Sequence, residues 1–159
     1  MLLLRGRFAS GVTVVTYKHQ EALRGLTVAS FTTVSIQPPL VSVCIGKDLE
    51  SHELLPAAGA FGVSILADSQ EFLSERFAGR GPLVDGEFSG VPYFTKLTGA
   101  PLLDGAVAWL DCTVHATHDG GDHLIVLGRV RWAEDNPRKP MPLIYFSRLY
   151  ADLTNLRNP

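Results

Sequence analysis

Cysteine is scarce in this chain: two residues in 159, Cys44 and Cys112, each inside an apolar run (VSVCIG and WLDCTV). Neither has a second Cys or a His at metal-ligand spacing, so both are expected to pack as small core residues. A surplus of one charge is also missing, since 14 Lys and Arg stand against 16 Asp and Glu for a formal net charge of −2. With the cations scattered along the chain, there is no electrostatic footprint for nucleic acid. Long hydrophobic runs are absent too: no stretch approaches the ~20 residues of a membrane helix, and the opening MLLL is broken by Arg5 and Arg7. The expectation is a cytoplasmic protein with no membrane segment and no signal peptide. Three common signatures do not occur: GxGxxG after a strand, GxxxxGK followed by Ser or Thr, and GxSxG. A Rossmann enzyme, a P-loop NTPase and an α/β-hydrolase are therefore disfavoured. His115 and His118 read as exposed strand residues, and no trio of His and carboxylates has metal-ligand spacing, so no metal is expected.

What is present is apolar material for one core. The chain is 46% hydrophobic and 19% charged, with a mean hydropathy of +0.15. Its length suits a single domain over residues 1–159, able to bury about two-thirds of its unfolded surface without disulfides. The apolar balance hints at further surface covered by a second copy, hence a homodimer.

The β-branched series in GVTVVTYK predicts a strand, followed by a loop and a second strand, GLTVASFTTVSI, that stops at Pro38 and Pro39. PLVSVCIG resumes as a third strand. Asp48 is expected to cap a short helix with Leu49, Leu54 and Leu55 on one face, ended by Pro56 to Gly59. FGVSIL reads as a buried strand. Asp68 or Ser69 then caps a second helix in which Phe72, Leu73 and Phe77 recur at helical spacing, with Glu71 completing a capping box and Gly79 as the stop. Residues 80–103, rich in Gly and Pro, are expected to have little regular structure. AVAWLDCTVHATHDG and DHLIVLGRVRWAED read as two long strands joined by HDGGDH, and PLIYFSRLY as the last strand. About seven strands and two helices, without βαβ alternation, favour a mainly β fold: an antiparallel sheet closed into a barrel with helices against it.

Several residues have chemistry to offer. Thr27, Ser30, Thr32, Thr33 and Ser35 thread hydroxyls through an apolar strand, which suits either a phosphate or polar ring edge, or a plain solvent-facing row. Ser51 and His52 lie near a helix start, where free amides and the dipole favour a phosphate; a capped surface helix is the competing reading. Arg76 has the guanidinium fork for a pyrophosphate, or is simply solvated. His123 follows the turn GGD directly and stands at the mouth of LIVLG, placed to donate to a nicotinamide carboxamide or ring edge.

In order and spacing, FASGVTVVT, GLTVASFTTVSIQPPLVSVCIG, FGVSIL with LSERFAG, GDH and PLIYFSRLY resemble the short-chain flavin reductase family, the reductase components of two-component flavin monooxygenases. The resemblance covers nearly the whole chain and implies the FMN-binding split β-barrel. It implies that Thr27, Val28, Ala29, Ser30 and Phe31 hold the flavin, with Thr33 and Val34 nearby. It assigns Asp48, Leu49, Glu50, Ser51 and His52 to the phosphate and adenylate loop, and Arg76, Phe77 and Ala78 to a second flavin-contacting segment. His123 with Ser147, Arg148, Leu149 and Tyr150 would meet the nicotinamide nucleotide. Two departures stand out: Ala29 replaces an Asn or Ser frequent in relatives, and no longer N-terminal helix precedes FASG.

The implied activity is reduction of FMN or FAD by NADH or NADPH, with reduced flavin passed to a partner monooxygenase, the chain working as a homodimer. Hydride would pass between the two rings, with no catalytic side chain required. Two other readings keep the fold: a non-catalytic flavin- or haem-binding or electron-transfer module, and an oxidase of the pyridoxine-phosphate type. The latter would want more Lys and Arg around a phosphate than this chain has.

Overall fold

The computed structural model describes residue 4, residues 6–81, residues 86–151 and residue 153. Its strands are β1 (Ser10–Gly11), β2 (Thr13–His19), β3 (Ala22–Val28), β4 (Thr32–Ser35), β5 (Leu40–Gly46), β6 (Ala60–Ile65), β7 (Tyr93–Thr95), β8 (Pro101–Leu103), β9 (Ala108–Gly120), β10 (His123–Asp135), β11 (Ile144–Phe146) and β12 (Leu149–Ala151). Two short helices, α1 (Ser51–Ala58) and α2 (Glu71–Phe77), accompany them among the described residues, α2 entered through a 3-10 turn at Asp68–Gln70.

Seven strands form one antiparallel sheet in the order β3-β2-β6-β9-β10-β5-β4. It rolls until β3 comes near β5, yet no ladder joins β3 to β4 or β5, so the barrel stays split there. The expected mainly β split barrel is the fold that forms. Alternation explains the inside: Val41, Val43 and Ile45 of β5 and Val126 of β10 face Val15, Tyr17, Phe61 and Val63 in one buried cluster. Gly128 belongs to it by what it lacks, because a Cβ there would lie 2.3 Å from the Phe61 ring. A second cluster, with Val14, Leu66, Leu73 and Phe77, seats α2 on the other side of the sheet.

Several expected elements are redrawn. GLTVASFTTVSI is two strands rather than one, since β3 ends at Val28 and β4 starts at Thr32. PLIYFSRLY is a hairpin, β11 with β12, turned at Ser147 and Arg148, whose φ values are 51° and 66°. Residues 80–103 contain the β7–β8 hairpin, so the strand number exceeds seven. Asp48 does not cap α1; the cap position is Glu50, without a side-chain bond. Pro56 lies inside α1 rather than ending it, and Gly59 at φ 75° is the stop. Leu49, at 47% exposure, does not share the buried face of Leu55. In the 68–71 turn the Asp68–Glu71 capping box is not made; Gln70 Oε1 accepts from the Ala67 amide at 3.0 Å instead. Phe72 is 62% exposed because the buried face of α2 runs through Leu73, Ser74 and Phe77, and Phe72 lies about 140° around the helix from Phe77. Of the two cysteines, Cys112 is core as expected, while Cys44 is only half buried. No helix among the described residues is long and apolar enough to cross a membrane.

Candidate active site

The site begins where β3 leaves its ladder. Between Val28 and Thr32, the main-chain groups of Ala29, Ser30 and Phe31 make no ladder or turn bond among the described residues. Side-chain stitching keeps this stretch in place. Ser30 Oγ accepts from the Cys44 amide at 2.9 Å and donates to the Cys44 carbonyl at 3.2 Å. Thr27 Oγ1 donates to the Ser74 carbonyl at 2.6 Å. The hydroxyls at 27 and 30 therefore hold the wall together, and Ala29 and Ser30 line the space in front of it.

Two cavities meet at this stretch. One, of about 500 Å³, is lined by Leu26 to Ser30, Cys44 to Leu49, Asp122 and His123. The other, of about 450 Å³, is lined by Gly6, Phe8, Ser10, Ala29, Ser30, Tyr145 and Arg148. Ala29 and Ser30 belong to both.

In the first cavity, β10 starts at His123, directly opposite Gly46 of β5. A Cβ at Gly46 would lie 2.4 Å from an Asp48 carboxylate oxygen, so glycine is what lets Asp48 fold back over the strand end. His123 Nδ1 is 2.7 Å from the Asp122 carboxylate. With Nδ1–H donating there, Nε2 remains as an acceptor. Lys47 is locked to the β9–β10 turn twice, its amide donating to the Asp122 carbonyl at 2.9 Å and its ammonium pairing with Asp119. That hydrogen bond and the charge of Lys47 hold the Asp119 carboxyl below the usual carboxylate range.

The residues expected from the sequence fall into three groups. Thr27, Val28, Ala29, Ser30, Asp48, Leu49 and His123 line the first cavity, and Ala29, Ser30 and Arg148 the second. Neighbouring but not lining are Phe31, packed on the core, and Glu50, Ser51 and His52 at the start of α1. The free amides expected at that helix start are largely spent: His52 N–H bonds the Leu49 carbonyl and Glu53 N–H the Glu50 carbonyl. Ser51 Oγ accepts from Tyr17 at 2.9 Å, and His52 Nδ1 lies 2.6 Å from the Leu49 carbonyl. Burial raises the Tyr17 phenol above its usual pKa, so it stays a donor.

A third group lies apart from both cavity linings. Thr33 and Val34 are exposed on β4. Arg76 donates to the Ser89 carbonyl at 2.8 Å, Phe77 is buried against Gly25 and Phe88, and Ala78 is the C-terminal cap of α2. Ser147 turns the hairpin with Arg148, Leu149 is 69% exposed, and the Tyr150 hydroxyl is taken by Ser74 and Glu75. Sequence reasoning passed over Cys44, Lys47, Asp122, Tyr145, Phe8 and Ser10. The alternation of PLVSVCIG carried a signal for Cys44, because it puts that residue on the face opposite Val43 and Ile45; nothing local marked the others.

A model of the flavin reductase like domain matches residues 5–154. The chain belongs to the flavin reductase-like family. It is 36% identical over 149 residues to the reductase subunit HsaB of a flavin-dependent monooxygenase of Mycobacterium tuberculosis, covering 93% of this chain and 78% of the relative. It is 47% identical over 134 residues to an NADH-dependent FAD reductase of Streptomyces globisporus, covering 80% and 72% of the two. Among solved structures, a Streptomyces globisporus NADH:FAD oxidoreductase in complex with NAD and FAD fragments superposes with TM-score 0.87 at 38% identity, covering 95% of this chain and 89% of that one. Nitrilotriacetate monooxygenase component B of Mycobacterium thermoresistibile gives 0.90 at 37% identity, covering 99% and 87%.

For a flavin reductase-like chain the arrangement fits its ligands. An isoalloxazine edge carries both donors and acceptors, and the main-chain N–H and C=O groups of Ala29 and Ser30, which line both cavities, are of the kind that pair with it.

Proposed function

We propose that the protein reduces FMN or FAD with NADH and passes the reduced flavin to a flavin-dependent monooxygenase. The observation that carries this is that two cavities share Ala29 and Ser30 in their linings, which gives a flavin and a nicotinamide nucleotide adjacent sites on one stretch of chain. When bound, the nicotinamide and the flavin supply the hydride chemistry themselves. The chain's part is to bind, orient and exclude water. The main chain of residues 29–31 aligns the flavin edge; Lys47 gives the first cavity its fixed cation; His123, oriented by Asp122, accepts a hydrogen bond from a carboxamide; Arg148 faces the second cavity as a cation for the dinucleotide. Holding two reactants in this way supplies up to ~7–11 kcal/mol of barrier reduction, so a general acid or base is unnecessary.

The relatives' names support NADH as the donor and a monooxygenase as the recipient. Residues 1–159 form one functional domain in this reading, working in the cytoplasm, where NADH and reduced thiols both occur. A homodimer is part of it. On β10, Ile125 and Leu127 point away from the core, opposite Cys44 and Ser42 of β5, and Val34 and Ile36 on the adjoining edge are 50% and 89% exposed. Such a face calls for cover.

The test is anaerobic NADH oxidation followed at 340 nm, with and without added FMN or FAD. Flavin-dependent turnover supports the reductase; flavin binding without turnover moves the protein to a non-catalytic split barrel. Light scattering at micromolar concentration should give twice the monomer mass, and a monomer would refute the dimer.

A further inference from the structure

The second cavity is walled by a hairpin whose inner strand, β11, pairs with β1 and whose outer strand, β12, has β11 as its single ladder partner. β11 and β12 share three residue pairs, Tyr145 lies opposite Tyr150, and their rings meet edge to face at 5.3 Å. β11 is held from its other side by β1, with Ser10 opposite Tyr145 and Gly11 opposite Ile144, and the Ser147 amide donates to the Gly6 carbonyl at 2.7 Å; the outer strand β12 is instead tied by side chains to a single turn of α2. Tyr150 Oη lies 2.8 Å from Ser74 Oγ and donates to Glu75 Oε1 at 2.5 Å. Arg80 grips the same carboxylate with two bonds of 2.9 Å. It can do so because α2 stops at Phe77 and Gly79 takes φ 71°, turning the chain back until the Arg80 amide donates to the Glu75 carbonyl at 3.0 Å.

We infer that Glu75 is a positioning residue for the second cavity: braced by Arg80, it holds Tyr150 and so fixes the hairpin that presents Tyr145 and Arg148 to the ligand. The inference rests on reading that cavity as the nicotinamide side of the site. The Arg80 and Glu75 side chains are 55% and 34% exposed, and an ion pair that open to water adds little to stability. Its worth lies in orientation, because the fork fixes both carboxylate oxygens and leaves Oε1 aimed at Tyr150. The same turn of α2 also accepts Thr27 through the Ser74 carbonyl, so one strut serves a wall of each cavity by separate bonds. Loss of the carboxylate should therefore loosen the hairpin and spare the flavin side.

Glu75→Gln in the full chain tests this, because the amide loses the negative charge and the Oε2 acceptor that Arg80 Nε uses, and with them the fork that aims Oε1 at Tyr150. KM for NADH at saturating flavin should rise about tenfold, the scale of one charged hydrogen bond. Turnover at saturation and flavin Kd, read by fluorescence quenching, should stay within about twofold. Amide hydrogen exchange in residues 144–151 should quicken, and adding Tyr150→Phe should worsen neither readout. An unchanged KM with unchanged exchange overturns the inference; so does a parallel rise of flavin Kd, which would mean general loosening. Should Glu75→Gln fail to fold, Arg80→Met removes the brace from the exposed side and must give the same split. A wild-type protein inert towards NADH would sink the proposed function instead, while the exchange data would still report whether Glu75 holds the hairpin.

Discussion

The barrel interior and the break after β3 are built on opposite terms. Inside, Val15, Val43, Phe61, Val63 and Val126 are fully buried and satisfied by contact alone, so any well-packed apolar set of that volume would serve. At residues 29–31 the main chain gives up its ladder, and two hydroxyls tie the neighbouring wall to other backbones instead. The interior stores stability without chemistry, and the break keeps hydrogen-bonding capacity open for a ligand at the expense of stability.

The comparison breaks most severely inside. Phe61→Ala should cost about 3–5 kcal/mol of unfolding free energy, measured by urea titration, because it empties a fully buried site. Gly128→Ala, which pushes a methyl into the Phe61 ring, should cost about 1–3 kcal/mol by overpacking. At the break the effect should move from stability to binding. Ser30→Ala removes both bonds to Cys44 and should raise flavin Kd about tenfold, with the unfolding midpoint changing far less than for Phe61→Ala. His123→Ala should raise KM for NADH severalfold while leaving flavin Kd alone; an unchanged KM removes His123 from the donor side. The gentlest test uses the two thiols. Burial pushes the Cys112 thiol up to about 12, so at pH 8 it stays protonated and inert to a thiol reagent. Cys44, on the cavity wall, should react and be protected by bound flavin; equal labelling of both cysteines would erase the contrast.

How far the site was legible follows the same division. The core strands could be read because β-branched alternation reports directly which face is inside, and the long β9–β10 pair stood out by length and by the HDGGDH turn. Splitting GLTVASFTTVSI at Ala29 could not be read, since Ala, Ser and Phe carry no turn signal and the break comes from where β3 and β4 find partners. Hydroxyls at 27 and 30 drew attention as ligand donors, and in the structure they bind the protein's own backbone. Arg76 looked like a phosphate ligand by charge, and in the structure its Nη1 donates to the Ser89 carbonyl, a partner 13 residues away that no helical pattern announces.

By itself the sequence determined the mainly β split barrel and the family, because hydropathy period and motif order are local or ordered along the chain. Only the tertiary structure decided that two cavities share Ala29 and Ser30, that Lys47 and Asp122 stand at the rim, and that Glu75 and Tyr150 meet across 75 residues. Those contacts depend on which segments the rolled sheet brings together, and distance along the chain carries no record of that.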